Sequence, residues 1–267
     1  MVPYVVKPAT SDRIPLIVSI PHTGTYLPDE LRARLASDVM RALPMTDWHL
    51  HRLYEFLPEL GVTFIHATWS RFAADLNRPP DGAPLYPGRY ETGIVARQTF
   101  DGDDIWAEPP TDEEIEAWKR DIHAPYHAKL LELLEETRER FGHAVLIDAH
   151  SVASRASLVH GELEDDVYLG NRDEVTCGPW LIDRVQSAME EAGLRVVRNH
   201  PYKGGYITDH YGRLPGIESL QIEMAQRVYM DEDDPGAALA SERFEKAQQS
   251  LCAVFEKICD TVRERTA

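Results

Sequence analysis

Three apolar stretches of this sequence run into residues able to bind a metal or move a proton. Residues 15–20 (PLIVSI) are followed by Pro21, His22, Thr23 and Gly24. Residues 144–147 lead into Asp148, Ala149, His150 and Ser151, and residues 217–224 (IESLQIEM) contain Glu223. A fourth candidate, Asp47, stands where a helix is expected to begin. In open α/β sheets, sites gather just beyond the carboxyl ends of strands. Two His and one carboxylate, with a position left for water, form a catalytic zinc pattern, and His22, His150 and Asp47 could supply it. Each has an ordinary alternative: a histidine satisfied within its own loop, or an aspartate serving a helix N-terminus. The coincidence of several strand ends is what singles them out.

Other residues suggest supporting roles. Residues two apart on an extended chain face the same side, so Asp148 could orient the His150 imidazole; a capped turn is the alternative. Ser151 lacks the G-x-S-x-G elbow of a serine nucleophile. Asn77 and Arg78 follow Asp75 and Leu76. A guanidinium fork beside an amide suits a carboxylate, and Arg71 lies close upstream. Glu223 interrupts an apolar strand, where a carboxylate is costly without a partner. It is read either as a general base or as half of a structural ion pair.

The elements that must position these residues alternate in type. Strands are expected at 15–20, 62–67, 144–147, 195–198 and 217–224. Helices are expected at 28–42, 48–60, 111–140 (opened by a Thr111 capping box and kinked at Pro125), 179–192 and 241–263. Residues 77–104 are rich in Pro, Gly and Asp and read as a long loop of the kind that often serves function. The alternation predicts a mixed or mostly parallel sheet covered on both faces. The 267 residues, 1–267, fit one large domain. Acidic residues outnumber basic ones by 45 to 28, a net charge of −17, which disfavours nucleic acid and anionic membranes as partners. An anionic substrate must then be met by individually placed Arg or Lys. Three cysteines with no C-x-x-C pair fit a reducing cytoplasm. No signal peptide is visible, and no apolar run approaches the roughly 20 residues of a membrane span.

An ordered set of segments carries a resemblance. They are SIPHTG (19–24), TDWHLHRLY (46–54), DLNRPP (75–80), LYPG (85–88), TFDG (99–102), PYH (125–127), DAHS (148–151) and QIEMAQRVYMDE (221–232). Together they resemble the N-formylglutamate amidohydrolase (N-formylglutamate deformylase) family. The resemblance implies a zinc-exopeptidase-like (phosphorylase/hydrolase-like) three-layer α/β domain with a mixed central sheet. It implies hydrolysis of a small anionic amino-acid derivative, N-formyl-L-glutamate, to formate and glutamate, a step of histidine breakdown. It also implies Zn2+, or another divalent metal, held by His22 and His150. Relatives of this fold place a Glu three residues after the first His; Thr25 stands there in this chain, and Asp47 is the substitute. Asn77 and Arg78 match a substrate-carboxylate pair, Arg71 an upstream arginine that assists the oxyanion, and Glu223 the base. Arg155, Lys203 and Arg213 are unranked candidates for the second substrate carboxylate. Two rival readings are a hydrolase of another N-acyl or N-formyl amino acid, and a metal- or amino-acid-binding protein without turnover. The oligomeric state is not legible.

Overall fold

The computed structural model describes residues 1–84 and 91–265; residues 85–88, the LYPG segment, lie outside them. Among the described residues the strands are β1 (Tyr4–Lys7), β2 (Leu16–Ile20), β3 (Thr63–Ala67), β4 (Ala144–Val152), β5 (Val167–Gly170), β6 (Val196–Arg198) and β7 (Ile217–Ala225). They form one mixed sheet in the order β1-β3-β2-β4-β7-β5-β6. The inner strands β3, β2, β4 and β7 run parallel. β1 lies antiparallel on β3, and β5 antiparallel on β7. The chain leaves β2 for β3 on one side and then crosses to β4 on the other. The carboxyl ends of β2 and β4 therefore flank a point where the winding reverses, the usual place for a site in such sheets.

The helices are α1 (Asp29–Arg32), α2 (Asp38–Arg41), α3 (Leu50–Leu53), α4 (Asp112–Trp118), α5 (Ala124–Phe141), α6 (Pro179–Glu191), α7 (Tyr206–Gly212) and α8 (Glu242–Glu264). They cover both faces. Leu181 and Val185 of α6 and Leu251 and Phe255 of α8 pack with Leu16, Val18, Val145 and Ile147 in one core. Leu130 and Leu134 of α5 and Ile207 and Tyr211 of α7 pack with Ile17 and Leu146 in the other. The expected three-layer α/β arrangement with a mixed sheet is present. Because strand side chains alternate, that parity continues to the strand ends. Asp148 and His150 follow Leu146 on the face of the α5 and α7 core. Gln221 and Glu223 lie on the same face of β7, opposite Leu220, Ile222 and Met224. Register places His150 beside Glu223 and Asp148 beside Gln221.

Several expected elements differ. The 28–42 helix is two short pieces, because the intervening backbone pairs with another segment: Ala36 donates to the Ile105 carbonyl and Ala107 to that of Arg34. Ser37 then caps α2 by accepting from the Met40 amide. The 48–60 helix is broken at its start, where His49 adopts a left-handed conformation with φ 60°, and it continues as α3 and a 3-10 turn, Leu57–Leu60. The 111–140 helix opens with the Thr111–Glu114 capping box. Its interruption is a π-turn, Lys119–His123, that ends two residues before Pro125, where the missing proline N–H frees an upstream carbonyl. DAHS lies inside β4 rather than after it. β1, β5 and α7 were not anticipated. Residues 77–84 and 91–104 contain no helix or ladder strand.

After β2 the chain runs beside residues 68–70, with Tyr26 donating to the Thr68 carbonyl and Ser70 to that of Tyr26. Gly24 sits against this neighbour: a Cβ there would lie 2.2 Å from the Trp69 carbonyl oxygen. Gly24→Ala is therefore expected to destabilise the protein by about 1–3 kcal/mol by forcing backbone apart. Urea unfolding measures this, and an unchanged midpoint would show that the turn carrying His22 has room to spare.

Candidate active site

The carboxyl ends of β2 and β4 deliver two buried histidines. His22 follows β2 and His150 lies within β4; their ring centroids are 4.8 Å apart. Asp47 reaches them from the segment before α3. Its backbone amide donates to the His22 carbonyl at 3.1 Å, and the carbonyl of Thr46 accepts from Gln226 at 3.0 Å. The turn at His49 lets this segment enter the site before the helix starts. Asp47 Oδ2 accepts from the Ser151 amide at 3.0 Å and lies 3.2 Å from His150 Nδ1 and 3.8 Å from His22 Nδ1. The structure thus brings His22, Asp47 and His150 together, with one ligand atom from each within 4.8 Å of the others.

The outer atoms of both imidazoles are held. His22 Nε2 lies 2.7 Å from Asp75 Oδ1. Burial pushes the His22 pKa down, with Arg71 adding to the effect, and Asp75 and Asp47 recover only part of it. The Asp75 carboxylate can only accept, so His22 Nε2 is the donor in this contact. Nδ1 of the same ring, facing Asp47, is buried without a hydrogen-bond partner. An orphaned imidazole nitrogen beside a carboxylate and a second imidazole is a donor set that suits a divalent ion such as zinc. His150 Nε2 lies 3.1 Å from Asp148 Oδ1 and 2.9 Å from Asn77 Nδ2. Burial opposes protonation of His150, but Asp148, Asp47 and Glu223 outweigh it and raise its pKa well above the usual histidine range. Asp148 thus lies beside His150, as the i, i+2 spacing suggested.

Asp75 went unassigned in the sequence, although it lies between residues that were singled out. Its Oδ1 accepts from His22 and from the Asn77 amide at 2.9 Å, and its Oδ2 from Arg71 Nη2 at 2.6 Å. Burial would raise the Asp75 pKa; Arg71 and His22 instead hold it well below the ordinary value. The i, i+4 spacing of Arg71 and Asp75 was an available signal. Gln221 was also missed, although period-two alternation puts it on the Glu223 face. Its Oε1 accepts from the Gly205 amide at 2.8 Å, which turns its Nε2 toward Glu223 Oε2 at 3.1 Å.

Glu223 is buried. Desolvation, opposed by His150 but assisted by Asp47, pushes its carboxyl up to about 8. Arg71 holds Asp75 and lies 4.0 Å from Asp47 Oδ1, and its Nε is buried without a partner. Asn77 turns inward: besides facing His150, its Oδ1 accepts from the Ile207 amide at 2.8 Å. Arg78 donates Nε to the Thr92 carbonyl and Nη1 to the Asn77 carbonyl, both at 2.9 Å. All seven residues singled out in the sequence line one cavity. Arg155 lines it too, whereas Lys203 and Arg213 do not; they pair with Asp173 and Asp209.

A sequence model of the N-formylglutamate amidohydrolase family matches residues 14–230. The chain belongs to this family. The N-formylglutamate deformylase of Pseudomonas putida is 42% identical over 228 residues, 84% of each chain. That of Pseudomonas aeruginosa is 37% identical over 259 residues, 96% of each chain. A crystal structure of N-formylglutamate amidohydrolase from Ralstonia eutropha JMP134 superposes with a TM-score of 0.85 at 29% identity, covering 99% of this chain and 100% of that one.

The contact between Asp75 and His22 leads to a measurement. Asp75→Asn keeps the shape but removes the charge that fixes the His22 tautomer. Divalent-metal affinity of the apoprotein, titrated with zinc, is expected to fall about 10–100-fold. Wild-type affinity in a folded Asp75→Asn protein would show that His22 needs no such partner.

Proposed function

We propose that this chain hydrolyses the amide of N-formyl-L-glutamate to formate and L-glutamate, with zinc held by His22, Asp47 and His150. The observation that carries this reading is the buried His22–Asp47–His150 donor group sharing one cavity with a buried carboxylate, Glu223. The deformylase names of relatives 42% and 37% identical support the substrate. When bound, the metal supplies Lewis acidity toward the formyl carbonyl and the water, and its charge lowers the pKa of neighbouring acids, Glu223 included.

The protein's own residues do the rest. Glu223 takes a proton from the attacking water and passes it to the departing amine, so that one water and one amide give one acid and one amine. Gln221 fixes one carboxylate oxygen of Glu223 and leaves the other for this transfer. Asp75 and Asp148 hold the two imidazoles in the tautomers that turn Nδ1 inward. Asn77 donates Nδ2 to Asp148 at 3.5 Å and accepts at Oδ1 from the Ile207 amide, which ties the Asp148 side of the site to the start of α7. Arg71 keeps positive charge near the developing oxyanion. Arg78, beside Asn77 in the wall, takes a substrate carboxylate and so fixes the amide relative to the base. Free Cys177, Cys252 and Cys259 support a cytoplasmic setting.

Two substitutions separate the roles. Glu223→Gln keeps the volume and removes the proton acceptor. Formate release from N-formyl-L-glutamate is expected to drop by about 10²–10⁴ in kcat, with metal content and melting temperature near wild type. A destabilised Glu223→Gln protein with normal turnover per folded molecule would assign Glu223 to a structural ion pair. His22→Ala and His150→Ala are each expected to lose most bound zinc, as read by metal analysis after gel filtration. Full occupancy in both variants would remove the metal site from the reading.

A further inference from the structure

Glutamate derivatives carry two carboxylates, and the cavity offers three guanidinium groups, Arg71, Arg78 and Arg155. They differ in what already holds them. Arg71 is buried and bonded to Asp75 at 2.6 Å. Arg78 is half-buried and directs two of its nitrogens at backbone carbonyls. Arg155 is exposed and has no hydrogen bond or ion pair among the described residues. Arg155 is thus a cation left unpaired at a cavity that also contains carboxylates, in a chain of net charge −17.

The backbone that carries it is firmly built. Ser154 donates its amide to both oxygens of Glu232, at 2.9 and 3.1 Å, and its hydroxyl at 2.9 Å. The same carboxylate accepts from the Arg227 amide at 2.8 Å. The Leu163 amide closes the segment onto the Ser154 carbonyl, and Ser157 donates to the His160 carbonyl. Across the mouth, the Leu158 amide donates to the carbonyl of Phe100, itself a cavity-wall residue, at 2.8 Å. Arg155 therefore projects from a rim segment anchored on both sides rather than from a free loop.

We infer that Arg155 is the specificity residue for the second, side-chain carboxylate of the substrate. The inference rests on the proposed reading that the substrate is an N-formyl dicarboxylic amino acid. Arg78 and Arg155 then divide the two carboxylates between wall and rim. The planar fork of Arg155 selects an anionic side chain over its neutral amide isostere.

The test compares N-formyl-L-glutamate with N-formyl-L-glutamine in wild type, Arg155→Gln and Arg155→Lys. Wild type is expected to favour the glutamate derivative. Arg155→Gln should lose about tenfold or more in kcat/KM on that substrate, mainly through KM, and change little on the glutamine derivative. Arg155→Lys, which keeps charge without the fork, should fall between. An unchanged preference in Arg155→Gln, or an equal loss on both substrates, would overturn the assignment while leaving the hydrolase reading intact. A wild-type protein inert toward both substrates would overturn that reading and this assignment with it.

Discussion

Everything at this site depends on a shortage of positive charge in a dry place. Asp47, Asp75, Asp148 and Glu223 are each no more than 7% exposed. Carboxylates so placed are costly unless paired and hydrogen-bonded. Arg71 is the guanidinium that answers them most directly, and it serves Asp75. Asp47, Asp148 and Glu223 converge on His150, which holds its proton well above the normal histidine range as a result. Glu223 eases the imbalance by keeping its own proton, with a pKa pushed up to about 8. Even with Glu223 protonated, the three aspartates face two cations, Arg71 and His150, so the cluster stays one positive charge short. The unpartnered Nδ1 of His22 beside Asp47 shows where that charge is best received.

The fold makes such a cluster possible by strand parity. On β4 and β7 one set of alternating side chains belongs to the core under α6 and α8. The opposite set starts in the core under α5 and α7 and ends at the site. The polar residues thus continue an apolar stripe, and their neighbours one step away remain in a packed core. A one-residue slip of β4 against its pattern would drive Asp148 and His150 into the α6–α8 core. Burial of the alternate residues therefore fixes the register that aligns His150 with Glu223. Residues with no strand to hold them are fixed by backbone bonds instead, as Asp47 is through His22 and Ser151.

Strands with long apolar runs were legible in the sequence, because β2, β3, β4 and β7 are buried on both faces and read as continuous hydrophobic segments. β1 has an alternating, half-exposed pattern and lies at a sheet edge, so little in its composition marks it. β5 is four residues long and takes its order from pairing with β7 and β6. The two helices that fragmented did so for tertiary reasons: the 105–107 segment claims backbone groups at 34–36, and Asp47 must reach the histidines before α3 begins. The His22, Asp47 and His150 grouping was legible through strand ends and resemblance. Asp75 and Gln221 were not, because nothing local distinguishes a carboxylate or amide that acts through a neighbour. Asn77 illustrates the same limit: its residue type suggested a substrate contact, while its bonds run to Asp148 and Ile207.

On the proposed reading, an acidic protein with an acidic substrate must separate the charges that build the site from those that receive the ligand. Arg71 cannot do both, since freeing it would leave the buried Asp75 carboxylate without its guanidinium partner. Its positive charge is thereby a fixed part of the floor, felt at the reacting centre and not exchangeable with solvent or ligand. Arg78 is intermediate, positioned by the Thr92 and Asn77 carbonyls, neutral groups that orient a guanidinium without cancelling its charge. A cation held by carbonyls rather than carboxylates keeps its full attraction for an anion. Graded in this way from buried ion pair to wall to rim, the arginines let a strongly negative chain present a locally positive path to a cavity whose own chemistry depends on carboxylates.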